Sequence, residues 1–116
     1  MKMVAKEELQ AMVGKEMGAS EWFQIDQARI NAFADATLDH QFIHVDEEKA
    51  KHTPFGGTIA HGFLTLSLLP YLQVSMPDLV VPAGLKMGMN YGFDKIRFLA
   101  PVKVNARVRA VAKLKE

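Results

Sequence analysis

Cysteine is absent from this chain, which excludes disulfides, thiolate metal sites and cysteine nucleophiles. The opening residues, MKMVAKEELQ, turn charged before any apolar run can build, so no secretory leader is read there and a reducing, cytoplasmic setting is expected. Long hydrophobic runs are also missing. The most apolar segment, IAHGFLTLSLLPYL, is interrupted by His61, Thr65, Ser67 and Pro70, and it falls short of the roughly 20 residues that cross a bilayer. Nor does charge of one sign dominate. The 14 Lys and Arg residues face 13 Asp and Glu, scattered along the chain, so neither a nucleic-acid groove nor a membrane-binding face is indicated. A small molecule or another protein is the expected partner. There is no repeat, no low-complexity tract and no linker rich in Gly, Ser or Pro, and 116 residues that are 49% hydrophobic suit one core. A single domain over residues 1–116 is expected.

What is present reads as α+β. KEELQAMVGKEMG places Leu9, Met12 and Val13 at helical spacing and stops at Gly14 and Gly18, as a short lid or collar helix would. SEWFQI reads as a strand, and DQARINAFADAT as a helix with Asp26 as N-cap and Ile30, Phe33 and Ala34 on one face. From Leu38 to Thr58 the chain reads as largely irregular, with room for one helical turn at DEEKAK. Residues 62–76 carry apolar side chains on nearly every side, which predicts a surrounded helix, kinked or ended early by Pro70. LKMGMNYGFDKIRFLAP predicts a long strand, bulged at Gly88 and Gly92 and with Met87 and Met89 in the core. VKVNARVRAVAKLK alternates apolar and polar residues, so the two are expected to pair antiparallel across a turn at Pro101.

Two stretches carry chemistry. In DHQFIHVD, Asp39 and His44 are five residues apart, roughly 140° around a helix and on opposite faces of a strand. They converge only if the chain turns between them. If it does, a carboxylate and an imidazole can hold one water, and an imidazole exchanges protons near neutral pH. Two other readings stay open: a solvated turn capped by Asp39, and a metal row of His40, His44, Glu48 and His52 on one helix face. Against the row stand Phe42, Ile43 and Val45, which favour strands, and Pro54 close behind. In PFGGTIAHGF, glycines before an apolar helix allow close backbone approach, and the free N–H groups near Gly62 can hold an oxyanion. The same glycines serve equally well for tight packing. His61 reads as a helix-start residue that orients the turn, and Asp94, Lys95 and Arg97 read as a solvated strand face able to meet a charged ligand.

Together these stretches resemble a known family. The run FADATLDHQFIHVDEEKAKHTPFGGTIAHGFLTLSLLPYL, residues 33–72, is similar to the hydratase motif of the MaoC-like dehydratases, including the (R)-specific enoyl-CoA hydratases and their nodulation-protein-N-like relatives; the likeness continues through NYGFDKIRFLAPV. The resemblance implies a hotdog fold, a long central helix wrapped by an antiparallel sheet. Family members continue for two or so strands beyond the point where this sequence stops, so the last strands are expected to be missing or supplied by a partner chain.

The resemblance further implies that Asp39 and His44 are catalytic and that the Gly62 amide binds the thioester oxygen, with Phe42, Phe55, Gly57 and His61 about the substrate. The implied reaction is addition of water to a trans-2-enoyl-CoA to give an (R)-3-hydroxyacyl-CoA, by a homodimer that needs no metal or other cofactor. A hotdog thioesterase and a non-catalytic acyl-CoA-binding or assembly protein are the rival readings. The sequence departs from the family pattern at Leu38, where the family has glycine, at Gln41-Phe42, where it has Asn-Pro, and at Pro70, where some members carry a hydroxyl. These departures bear on the turn before Asp39 and on the room left for the acyl chain.

Overall fold

Asp26 opens the longest helix as its residue type predicts: its Oδ1 accepts the Arg29 N–H at 2.9 Å, satisfying one of the first-turn donors that have no partner within the helix. The computed structural model describes residues 1–116. In chain order the elements are β1 (Lys2–Val4), α1 (Lys6–Ala11), β2 (Glu16–Ala19), β3 (Phe23–Gln24), α2 (Gln27–Thr37), α3 (Phe42–Val45) and α4 (Glu47–Ala50). They continue with α5 (Gly62–Ser67), α6 (Leu69–Val74), β4 (Val80–Pro82), β5 (Arg107–Val108) and β6 (Val111–Lys113). No helix is long and apolar enough to cross a membrane.

These elements fall into two compact units, one comprising residues 22–68 and 97–108 and the other residues 1–21, 69–96 and 109–116. In the first unit, β3 pairs antiparallel with β5, Phe23 opposite Val108, and an isolated antiparallel bridge joins Ile59 to Lys103. α2 buries Ile30 and Ala34, one helical turn apart, and Ile25, Ala50, Ile59, Ala60, Leu64 and Leu68 are the other buried apolar residues of this unit. The second unit holds the parallel pair β1–β4 and the antiparallel pair β2–β6, whose register is irregular between Glu16 and Ala19. Gly18 lies in that irregular step at φ +84°, a conformation glycine adopts without steric cost. Met17, Leu72 and Met76 are the buried apolar residues here.

Several elements differ from the sequence-based expectation. The first helix ends at Ala11, and the residues around Gly18 form β2 rather than a helix end. A helical turn, α3, occupies the Phe42–Val45 run despite its strand-forming side chains. Residues 62–76 do not form one long central helix. α5 stops before Leu68, whose N–H bonds back to Thr65 O at 3.2 Å, and α6 starts afresh with Pro70 in its first turn, where a missing N–H costs nothing. Nor is the segment surrounded. Leu64, Leu68, Leu72 and Met76, each four residues from the next, are buried, whereas Phe63, Tyr71 and Val74 are exposed.

The long strand expected over residues 85–101 is absent, as is its pairing with the C-terminal strand. No strand of the chain forms a ladder with this segment, and Met87 and Met89 are exposed rather than core. An alternating pattern becomes a strand only when a ladder partner satisfies its backbone. The C-terminal pattern is split into β5 and β6. A turn precedes them, with Asn105 at φ +66°, a conformation that asparagine tolerates better than most side chains.

Candidate active site

The site lies within the first unit and begins at the end of α2. Leu38 takes a left-handed conformation, φ 62° and ψ 28°, and the N–H groups of Leu38 and Asp39 both point back to the Ala34 carbonyl, the latter at 3.1 Å. This is a Schellman-type helix stop, a place where glycine is the usual residue. Its consequence is a sharp change of direction at Asp39. The Asp39 Oδ1 then accepts the Gln41 N–H at 3.3 Å, an Asx turn that leads into α3.

α3 brings His44 inward, 7% exposed, with its Nδ1 2.7 Å from the Ile59 carbonyl. A carbonyl only accepts, so Nδ1 carries the proton and a neutral ring presents its Nε2 lone pair. The backbone is held as well, because Gln27 Nε2 donates to the His44 carbonyl at 2.8 Å while Gln27 Oε1 accepts from the Thr58 hydroxyl. His61, the N-cap of α5, stacks on His44 with ring centroids 3.8 Å apart and planes inclined by 21°. Its Nε2 lies 3.0 Å from the Asp39 carbonyl oxygen and 3.9 Å from Asp39 Oδ2. Asp39, His44 and His61 thus each bring one carboxylate oxygen or ring nitrogen to within 4.8 Å of the other two.

Such a trio has the composition of a metal site, but the stacking opposes that use. An imidazole binds an ion in its own plane, and two nearly parallel rings share no such point close to both nitrogens. The metal row does not form either, because Asp46 is extended (φ −107°, ψ 96°) and separates α3 from α4. Its members have other partners: His40 Nε2 meets Asp35 Oδ1 at 2.8 Å, and Glu48 Oε1 accepts from Lys51 Nζ at 3.0 Å. Asp46 caps α4 by accepting the Lys49 N–H at 3.0 Å.

Beside His44 opens a cavity of about 480 Å³, lined by His44, Phe55, Gly62, Thr65 and Phe98 among others, and closed on one side by residues 97–102. That volume lies within the range of small-molecule sites, about 300–1,000 Å³. Gly62, the first residue of α5, gives its N–H to no protein acceptor. Phe98 lies directly against it: a Cβ on Gly62 would sit 3.0 Å from the Phe98 ring, so any larger residue there requires that ring to shift. Among the residues singled out from the sequence, His44, Phe55, Gly62 and Arg97 line the cavity, whereas Asp39, Phe42, Gly57, His61, Asp94 and Lys95 do not. Thr65 and Phe98 escaped the sequence reading. Thr65 looked like one more interruption of an apolar helix and Phe98 like one more strand residue.

The sequence profile described as the MaoC like domain matches residues 8–116. The chain belongs to the MaoC-like dehydratase family. It is 53% identical over 107 residues to 3-hydroxyacyl-thioester dehydratase Z of Mycobacterium tuberculosis, covering 92% of this chain and 69% of that protein. Nodulation protein N of Rhizobium meliloti is 52% identical over 107 residues, covering 90% of this chain and 65% of the relative. Among solved structures, a monoamine oxidase regulatory protein from Archaeoglobus fulgius superposes with a TM-score of 0.76 at 27% identity, over 97% of this chain and 71% of the other. The fold of this MaoC-like chain is accordingly α+β and hotdog-like, with antiparallel sheet elements.

Proposed function

We propose that this MaoC-like chain is an (R)-specific enoyl-CoA hydratase that adds water to a trans-2-enoyl-CoA to give an (R)-3-hydroxyacyl-CoA, with Asp39, His44 and Gly62 as its reacting groups. The observation that carries the reading is the convergence of Asp39 and His44 beside a cavity that His44 and Gly62 both line. With Nδ1 committed to the Ile59 carbonyl, His44 meets the water through Nε2, and the exposed Asp39 carboxylate orients the same water. The C3–O bond forms as the water O–H breaks. The proton returns to C2 through the same pair, while the negative charge that develops on the thioester oxygen is received by the Gly62 N–H. Dehydration of the hydroxyacyl thioester is the reverse of these steps. The whole chain acts as one domain and pairs as a homodimer.

Hydration of crotonyl-CoA, followed by loss of the enoyl absorbance, tests the assignment. Asp39→Ala and His44→Ala are each expected to lower turnover by about 100-fold or more, in line with loss of an acid–base group. A fully active Asp39→Ala protein would sink it, and release of free CoA thiol in the same reaction would point to a thioesterase instead.

A further inference from the structure

His61 is 3% exposed, and the hydration chemistry gives it no task. Its surroundings are nevertheless specific. Nε2 faces the Asp39 carbonyl at 3.0 Å, and since that oxygen only accepts, Nε2 carries a proton. The ring is packed between His44, 3.8 Å away, and Phe33, 4.9 Å away. Nδ1 is buried with no hydrogen-bond partner, and so is the hydroxyl oxygen of Thr65. Both atoms belong to one turn of chain, for the Thr65 N–H donates to the His61 carbonyl at 3.4 Å. A ring nitrogen lone pair and a hydroxyl donor, each costly to leave unsatisfied, are complementary across that turn.

We infer that Thr65 and His61 form a polar relay that positions the reacting pair: one buried water accepts from the Thr65 hydroxyl and donates to His61 Nδ1, and His61 Nε2–H donates to the Asp39 carbonyl. The hydroxyl fixes which nitrogen of His61 carries the proton. The fixed ring then holds the Asp39 backbone at the helix stop and forms the surface on which His44 stacks. His61 does not line the cavity, so it acts through Asp39 and His44 and is a positioning residue. The inference rests on the hydratase reading for its kinetic consequence, whereas the relay itself is observable without turnover.

Four variants of the full chain separate the contributions. Thr65→Val removes the hydroxyl at constant shape and is expected to lower kcat on crotonyl-CoA about tenfold, the scale of one hydrogen bond, with KM held within about twofold; Thr65→Ser restores it. His61→Phe keeps a ring against His44 but loses the N–H, and is expected to fall below His61→Gln, which keeps a donor toward the Asp39 carbonyl. Nitrogen-15 NMR of the imidazoles supplies the readout independent of activity. The expected wild-type result is a His61 protonated at Nε2, with an Nδ1 resonance that moves in Thr65→Val and returns in Thr65→Ser. A Thr65→Val protein with full kcat and an unmoved Nδ1 resonance would overturn the relay, as would a His61→Phe protein as active as wild type. If wild type fails to hydrate crotonyl-CoA, the hydratase reading falls and the resonance alone decides the relay.

Discussion

Single residues set the site's geometry, and Leu38 shows at what cost. It occupies a left-handed position, φ 62°, with its side chain 82% exposed, so little burial compensates the strain. A non-glycine residue there costs about 1–2 kcal/mol, of which glycine would return part as unfolded-state entropy. Leu38→Gly is therefore expected to raise stability by about 0.5–1 kcal/mol, read as a higher urea midpoint at constant slope. A lower midpoint would mean that the leucine side chain makes a contact worth more than the strain. The strained position matters because its turn delivers Asp39 to the Gln41 N–H and toward His61.

At the scale of elements, the site is held by α2, α3, α5 and the irregular segment 97–102. α2 depends on its cap, and Asp26→Ala is expected to cost about 1 kcal/mol in thermal or urea unfolding, since the Arg29 N–H loses its acceptor. The start of α5 depends on residues 97–102, through the contact between Gly62 and the Phe98 ring. Gly62→Ala is expected to destabilise by about 1–2 kcal/mol, because its new Cβ must displace that ring. In a Phe98→Ala background the same change costs less, giving a coupling energy of about 0.5–2 kcal/mol in a double-mutant cycle. Equal costs in both backgrounds would show that Phe98 yields freely.

For the whole molecule, the notable feature is the apolar surface that the fold leaves uncovered. Leu85, Met87, Met89, Tyr91 and Phe93 alternate as a strand face would, yet all are exposed and none pairs with another strand. A contiguous run of large apolar side chains in water is the usual mark of an association surface. The proposed homodimer accordingly predicts a light-scattering mass of two chains, shifted to one by Met89→Lys combined with Tyr91→Lys, with the circular dichroism spectrum unchanged. A wild-type mass of one chain would overturn the pairing.

The sequence by itself determined the local stops and the candidate chemistry. Asp26 capping α2 and Pro70 interrupting a helical run were readable, because capping and the lack of a proline N–H are properties of neighbouring residues, whereas the weight given to Asp39 and His44 over His40 and Asp46 came from the family resemblance. The tertiary structure alone decided the rest. Whether LKMGMNYGF becomes a strand depends on a ladder partner distant in sequence, which local alternation does not encode. The stacking of His61 on His44 joins residues 17 positions apart, and Phe98 reaches Gly62 from 36 positions away. Contacts of that range depend on the path of the whole chain, so a buried imidazole clamp and an aromatic wall looked, in the sequence, like a turn residue and an ordinary strand residue.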